Sequence, residues 1–71
     1  MEEFMRRETV ERVTGLKRST IYELISRGLF PKPIKISAAA GQRGGAVAWA
    51  RSEIADWQAQ RIAWRNDHDG R

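Results

Sequence analysis

The 71-residue chain contains no cysteine. That excludes a disulfide framework and a Cys-based zinc finger, and it fits a reducing compartment. No apolar run approaches the roughly 18 residues of a membrane span. The stretch Met1-Glu2-Glu3-Phe4-Met5-Arg6-Arg7 is too acidic and too poor in apolar residues for a signal peptide. A soluble intracellular protein with no membrane partner is therefore expected. Catalytic constellations are missing as well. There is no carboxylate pair, no Ser/His/Asp set and no phosphate-cradling loop. Gly41-Gln42-Arg43-Gly44-Gly45 lacks the Lys-Ser/Thr ending of a P-loop. His68 stands between Asp67 and Asp69 but has no scaffold or further ligands for a metal. The expectation is no enzyme activity, no metal, no cofactor and no small-molecule ligand.

Length and charge narrow the choice. A chain of 71 residues makes one domain at most. A domain this small buries only about 60% of its unfolded surface, which leaves little volume for an enclosed active site. Lys plus Arg number 13 against 9 acidic residues, a net charge of +4. The isoelectric point is about 10.4, which fits a polyanionic partner. Ten of the 13 cations are Arg. The guanidinium fork suits phosphate and guanine, so the bias leans further toward nucleic acid.

Hydrophobic spacing gives a short list of elements. Met1 to Arg6 reads as an extended arm anchored by Phe4 and Met5. Arg7 to Thr14 reads as a helix, with Glu8 and Glu11 toward its positive end. Val10 and Val13 would share a face with Leu16. Gly15 supplies a left-handed stop. Arg18 to Arg27 reads as a second helix with a core stripe of Ile21, Leu24 and Ile25, ended by Gly28. Leu29-Phe30-Pro31-Lys32-Pro33 cannot be helical, because each proline pushes the residue before it toward extended geometry. Phe30 is the expected apolar plug of this link. Ile34-Lys35-Ile36 alternates as a half-buried strand does, and Ala46 to Ala50 alternates small and large with Val47 and Trp49 on one face. Ser37 to Gly45, rich in Ala and Gly, joins them as a hairpin loop. Ser52 to about Arg65 reads as a third helix with Ile54, Trp57 and Trp64 on one side. The domain would span 1–65, followed by a disordered polar tail at 66–71.

Two amphipathic helices around a tight turn form a helix-turn-helix, and the hairpin after them would be its wing. The groove-facing set would be Lys17, Arg18, Ser19, Thr20, Tyr22, Glu23 and Arg27. Arg18 can reach phosphate or guanine, Ser19 and Thr20 are short donors and acceptors, and the Tyr22 hydroxyl suits phosphate. Glu23 repels phosphate unless it accepts from cytosine N4 or orients an Arg. Gln42 and Arg43 sit between glycines at the loop tip, where an Arg suits a narrow minor groove. Lys32 and Lys35 stand at the hairpin base, within reach of the sugar-phosphate backbone. The same pattern also fits a plain helical hairpin with a solvated face. Trp49 and Trp57 read as core rather than as base-stacking platforms. Trp64, near the end of the last helix, is a candidate contact for a second protomer.

Three blocks together carry a family resemblance. They are Thr14-Gly15-Leu16-Lys17-Arg18-Ser19-Thr20-Ile21-Tyr22, Phe30-Pro31-Lys32-Pro33-Ile34-Lys35, and Val47-Ala48-Trp49 with Ser52-Glu53-Ile54 ending in Trp57. The chain resembles the AlpA family of prophage regulators over about Arg7 to Arg65. The resemblance implies an α+β fold, a small winged helix-turn-helix of MerR and excisionase type in the order α-α-β-β-α. It implies that Arg18 to Arg27 is the recognition helix and Ser37 to Gly45 the wing. Arg18, Ser19, Thr20 and Tyr22 match the family motif as they stand. Lys17 departs from it, since the family usually has a helix-capping Ser there. Glu23 stands where a basic or neutral residue is common, and the wing is longer than usual. The implied function is sequence-specific binding of double-stranded DNA by a transcriptional regulator in the bacterial cytoplasm, associated with the nucleoid. It would act as a homodimer or as tandem copies on repeated sites. An excisionase that bends DNA for an integrase and a protein-interaction module that binds no DNA are the alternatives.

Overall fold

A computed structural model describes residues 1–36 and 46–69. Its elements are β1 (Phe4–Arg6), α1 (Arg7–Thr14), α2 (Arg18–Ser26), β2 (Ile34–Lys35), β3 (Val47–Ala50) and α3 (Arg51–Asp69). The expected α-α-β-β-α order is present with one strand ahead of it. The arm expected at Met1 to Arg6 forms that strand over Phe4–Arg6. β1 pairs antiparallel with β3, setting Met5 opposite Trp49, and β2 pairs antiparallel along the other side of β3, setting Ile34 opposite Ala48. The sheet order is β1-β3-β2. Ile36 N–H also donates to the Ala46 carbonyl, carrying the pairing one step toward the loop. The loop itself, with Gln42 and Arg43, lies outside the described residues.

The two glycine stops work as their positions require. Gly15 has φ 75°, and its N–H closes onto the Glu11 carbonyl. Gly28 has φ 73° and belongs to a full Schellman motif. Its N–H donates to Ile25 O, and the Leu29 N–H reaches back to Leu24 O. The turn between α1 and α2 is held by Thr14. Its hydroxyl donates to Val10 O at 2.7 Å and accepts from Leu16 N–H at 3.3 Å.

Each part of the chain contributes one large side chain to the core. Val10 comes from α1, Ile21 from α2, Phe30 from the link, Trp49 from β3 and Ile54 from α3. Met5, Leu16, Leu24, Ile25, Val47 and Trp57 pack around them. Trp49 is fully buried at the centre of the sheet. Truncating a buried Trp to Ala costs about 3–5 kcal/mol, which is comparable with the whole stability of a domain this small.

Three expectations need correction. Val13 does not join Val10 in the core but lies exposed beside Phe4 and Thr9, since an i, i+3 step turns it about 60° off the buried line. Ile34 and Ile36 are exposed rather than half-buried, because β2 is a two-residue strand at the edge of the sheet. The polar tail is helical as far as Asp69. No Gly or Pro interrupts the sequence of α3 before Gly70, the His68 ring stacks on Trp64 at 4.4 Å, and its Nδ1 lies 2.9 Å from the Trp64 carbonyl.

β3 runs straight into α3 without a loop, so no local residue caps that helix. The β1 arm supplies the cap instead. Glu2 accepts from Ser52 N–H at 3.1 Å and from the Ser52 hydroxyl at 2.5 Å, while Glu3 pairs with Arg51. The Ser52 hydroxyl bond, with the backbone N–H beside it, holds the Glu2 carboxyl below its ordinary value of 4.5. A carboxyl with a lowered folded pKa contributes stability above its unfolded pKa and loses it as pH falls through the folded one. The stability gap between wild type and Glu2→Gln should therefore be present at pH 7 and close as the pH falls below about 4.5, read by chemical denaturation. A gap constant with pH would remove the cap. Gly28→Ala meets no heavy atom within 4 Å. Its cost is therefore the backbone alone, about 1 kcal/mol, or a fall of roughly 4–8 °C in thermal midpoint.

Candidate nucleic-acid interface

Helix α2 has one side fixed and one side open. Ile21 is buried, with Leu24 and Ile25 half-buried against the core. Arg18, Ser19, Tyr22, Glu23 and Ser26 are exposed on the other side. Thr20, expected at the groove, is half-buried and sits on the flank.

Aromatic side chains tie the open side to the core. The Arg18 guanidinium lies 5.9 Å from the centroid of the Tyr22 ring. Tyr22 meets Trp49 edge-on at 6.4 Å, Trp49 meets Phe30 at 6.5 Å, and Phe30 meets Trp57 at 4.9 Å. Such pairs add about 0.5–1.5 kcal/mol each beyond the area they bury. The Tyr22 ring is thereby fixed, and the Arg18 stem has a surface to lie on.

The link that leaves α2 is held by two indoles. Trp49 Nε1 donates to the Pro31 carbonyl at 2.8 Å, and Trp57 Nε1 donates to the Leu29 carbonyl at 2.9 Å. Phe30 is buried between these two anchors. Lys32 follows directly and is exposed, as is Lys35 on β2. At the other end of α2, the turn is latched by Gln58 of α3, whose amide donates to Val13 O at 3.1 Å. The sequence gives no sign of the Gln58 latch, because its partner lies 45 residues away. The role of Thr14 was open to inference, since a Thr beside a helix-ending Gly has few other local partners.

The charges of α2 are unlike those of its neighbours. Lys17 stands at the N-cap position, makes no side-chain cap hydrogen bond, and is followed by Arg18 with no acidic residue in the first turn. Glu8 occupies the first turn of α1, and Glu53 that of α3. Among the described residues, no salt bridge involves Lys17, Arg18, Lys32 or Lys35. Glu23 pairs with Arg27 at 3.0 Å, one turn away and exposed. The Glu23 carboxylate on the open side of α2 thus orients an Arg. No cluster of three potential metal ligands occurs among the described residues, and no helix among them is long and apolar enough to cross a membrane.

Uncapped N–H groups beside two cations weaken the start of α2. Lys17→Ser restores a capping hydroxyl and should stabilise the domain by about 1 kcal/mol, measured by denaturant titration. An unchanged midpoint would mean that the Ser side chain cannot reach the first-turn N–H groups.

The family described as prophage CP4-57 regulatory protein (AlpA) matches residues 3–62. A protein of Enterobacteria phage P4, described as uncharacterized protein ORF88, is 45% identical over 64 residues. That alignment covers 90% of this chain and 66% of the relative, so the chain spans just under two thirds of the relative's length. No solved structure matches the chain. The matched span takes in β1, both helices of the helix-turn-helix, the hairpin and most of α3. The chain belongs to the AlpA family of prophage regulatory proteins.

Proposed function

We propose that this protein is a sequence-specific regulator that binds double-stranded DNA of a prophage or mobile element in the bacterial cytoplasm. Helix α2 enters the major groove, and the segment 37–45 acts as a wing in the adjacent minor groove with Gln42 and Arg43 at its tip. Lys32 and Lys35 contact the sugar-phosphate backbone. Arg18 reads a base edge, Ser19 and Tyr22 add short polar contacts, and Glu23 holds Arg27 in place.

One observation carries the reading. The start of α2 combines the positive end of the helix dipole, open N–H groups, Lys17 and Arg18, with no acidic residue to offset them. Like charge at a helix N-terminus costs stability in the free protein. The cost turns into affinity when a phosphate backbone approaches, because the same groups then face an anion. Helix α1 also starts uncapped on Arg6, but Glu8 in its first turn offsets the charge, whereas α2 has no such acid; a local rule left broken in this way marks a functional position. Membership of a regulatory family supports the same conclusion.

The test is to select the preferred duplex from a random pool and compare variants on it at fixed salt. Arg18→Ala should weaken binding to the selected site by about 1–3 kcal/mol and relax the preference at one position. Lys17→Ser should weaken binding to all sequences alike, although it stabilises the fold. Unchanged binding by Arg18→Ala would remove Arg18 from the interface.

A further inference from the structure

Helix α3 is longer than the body it packs on. Its last bond to the rest of the fold is the Gln58 latch, and every side chain from Ala59 to His68 is exposed. This projecting half carries Trp64, half exposed, and Ile62, also half exposed. Arg61 lies over the Trp64 ring at 4.9 Å and His68 stacks against it at 4.4 Å. The ring is therefore set in one orientation before any partner arrives, which lowers the entropy lost on binding. Beside it runs an open groove of about 850 Å³ between α3, the end of α2 and the link. Its apolar walls include Leu24, Leu29, Phe30, Pro31, Trp57 and Trp64. Leu29 is 56% exposed on this wall.

We infer that the occupant of this groove is the projecting half of α3 from a second copy of this chain, paired antiparallel about a two-fold axis. The charges select that partner. The α3 side of the groove carries Glu53 and Asp56 near the helix start. The stretch from Ala59 to Asn66 carries Arg61 and Arg65 and no acidic residue. An antiparallel pair centred near Ala59 sets Arg65 level with Glu53 and Arg61 level with Trp57. One two-fold axis makes both contacts twice, as an isologous interface requires. Trp64 then inserts against Leu29 and the link of the other copy. A parallel pair would instead bring like charges together. The inference does not depend on DNA binding, so its failure would leave that reading untouched.

The test is sedimentation equilibrium of the full chain from low-micromolar to millimolar concentration. A monomer–dimer equilibrium is expected. Trp64→Ala should weaken dimerisation about thirtyfold, as loss of a central aromatic anchor does. Leu29→Ala should weaken it in the same direction, while Phe4→Ala, in the separate groove lined by Thr9 and Val13, should not. All three side chains are exposed, so circular dichroism should report an unchanged fold. Glu53→Arg and Arg65→Glu should each dissociate the dimer alone and restore it when mixed. A monomer at every concentration would overturn the inference, as would a dimer that Trp64→Ala and Leu29→Ala leave intact. Failure of the mixed variants to associate would overturn the antiparallel pairing.

Discussion

The orientation of α2 depends on two indole N–H groups. Trp49 and Trp57 grip the carbonyls of Pro31 and Leu29 on either side of the buried Phe30. Two prolines remove N–H donors from this link, so it has few backbone bonds of its own. Its path is set by side chains reaching it from β3 and α3. Loss of either indole would leave a carbonyl short of a partner and free the exit of the helix. Each such bond contributes about 0.5–1.5 kcal/mol net, a sizeable fraction of what a domain of this size holds. The geometric effect is larger than the energetic one. The proposed reading of base edges by α2 requires that it be held to a fixed tilt.

The same constraint accounts for two of the three tryptophans. Trp49 is core, bond donor and brace for Tyr22 at once. Trp57 closes the far side of Phe30. Trp64 takes no part in either task and stands out from the body. Its exposure gains a purpose only if something covers it, and the neighbouring groove offers apolar walls with Glu53 and Asp56 beside them.

Much of this was legible from the residues, because the signals are local. Gly15 and Gly28 end helices through their own backbone geometry, and both take positive φ. The limits of α1, the plug at Phe30 and the burial of Trp49 follow from spacing and from the prolines. The unread features are long-range or marginal. The β1 arm offers three residues with no alternation to detect, and its meaning comes from pairing with β3, more than forty positions later. Glu2 as a cap for α3 is separated from Ser52 by 50 residues. The end of α3 at Asp69 is not legible from composition, because polar residues carry no core periodicity. Local pairs such as Trp64 with His68 continue the helix without any core. Among the site residues, Lys17 as an uncapped N-cap was readable from its neighbours. The pairing of Glu23 with Arg27 was one of two open choices until the structure brought the side chains together.

The central claim is that the open face of α2 and the hairpin base form a surface for DNA phosphates. A salt titration of binding to random-sequence double-stranded DNA tests it most directly. With Lys17, Lys32 and Lys35 at the backbone, the logarithm of affinity should fall linearly with the logarithm of salt, with a slope of about −2 to −3. Affinity that is absent at low salt, or that does not change with salt, would contradict the claim and turn attention to a protein partner.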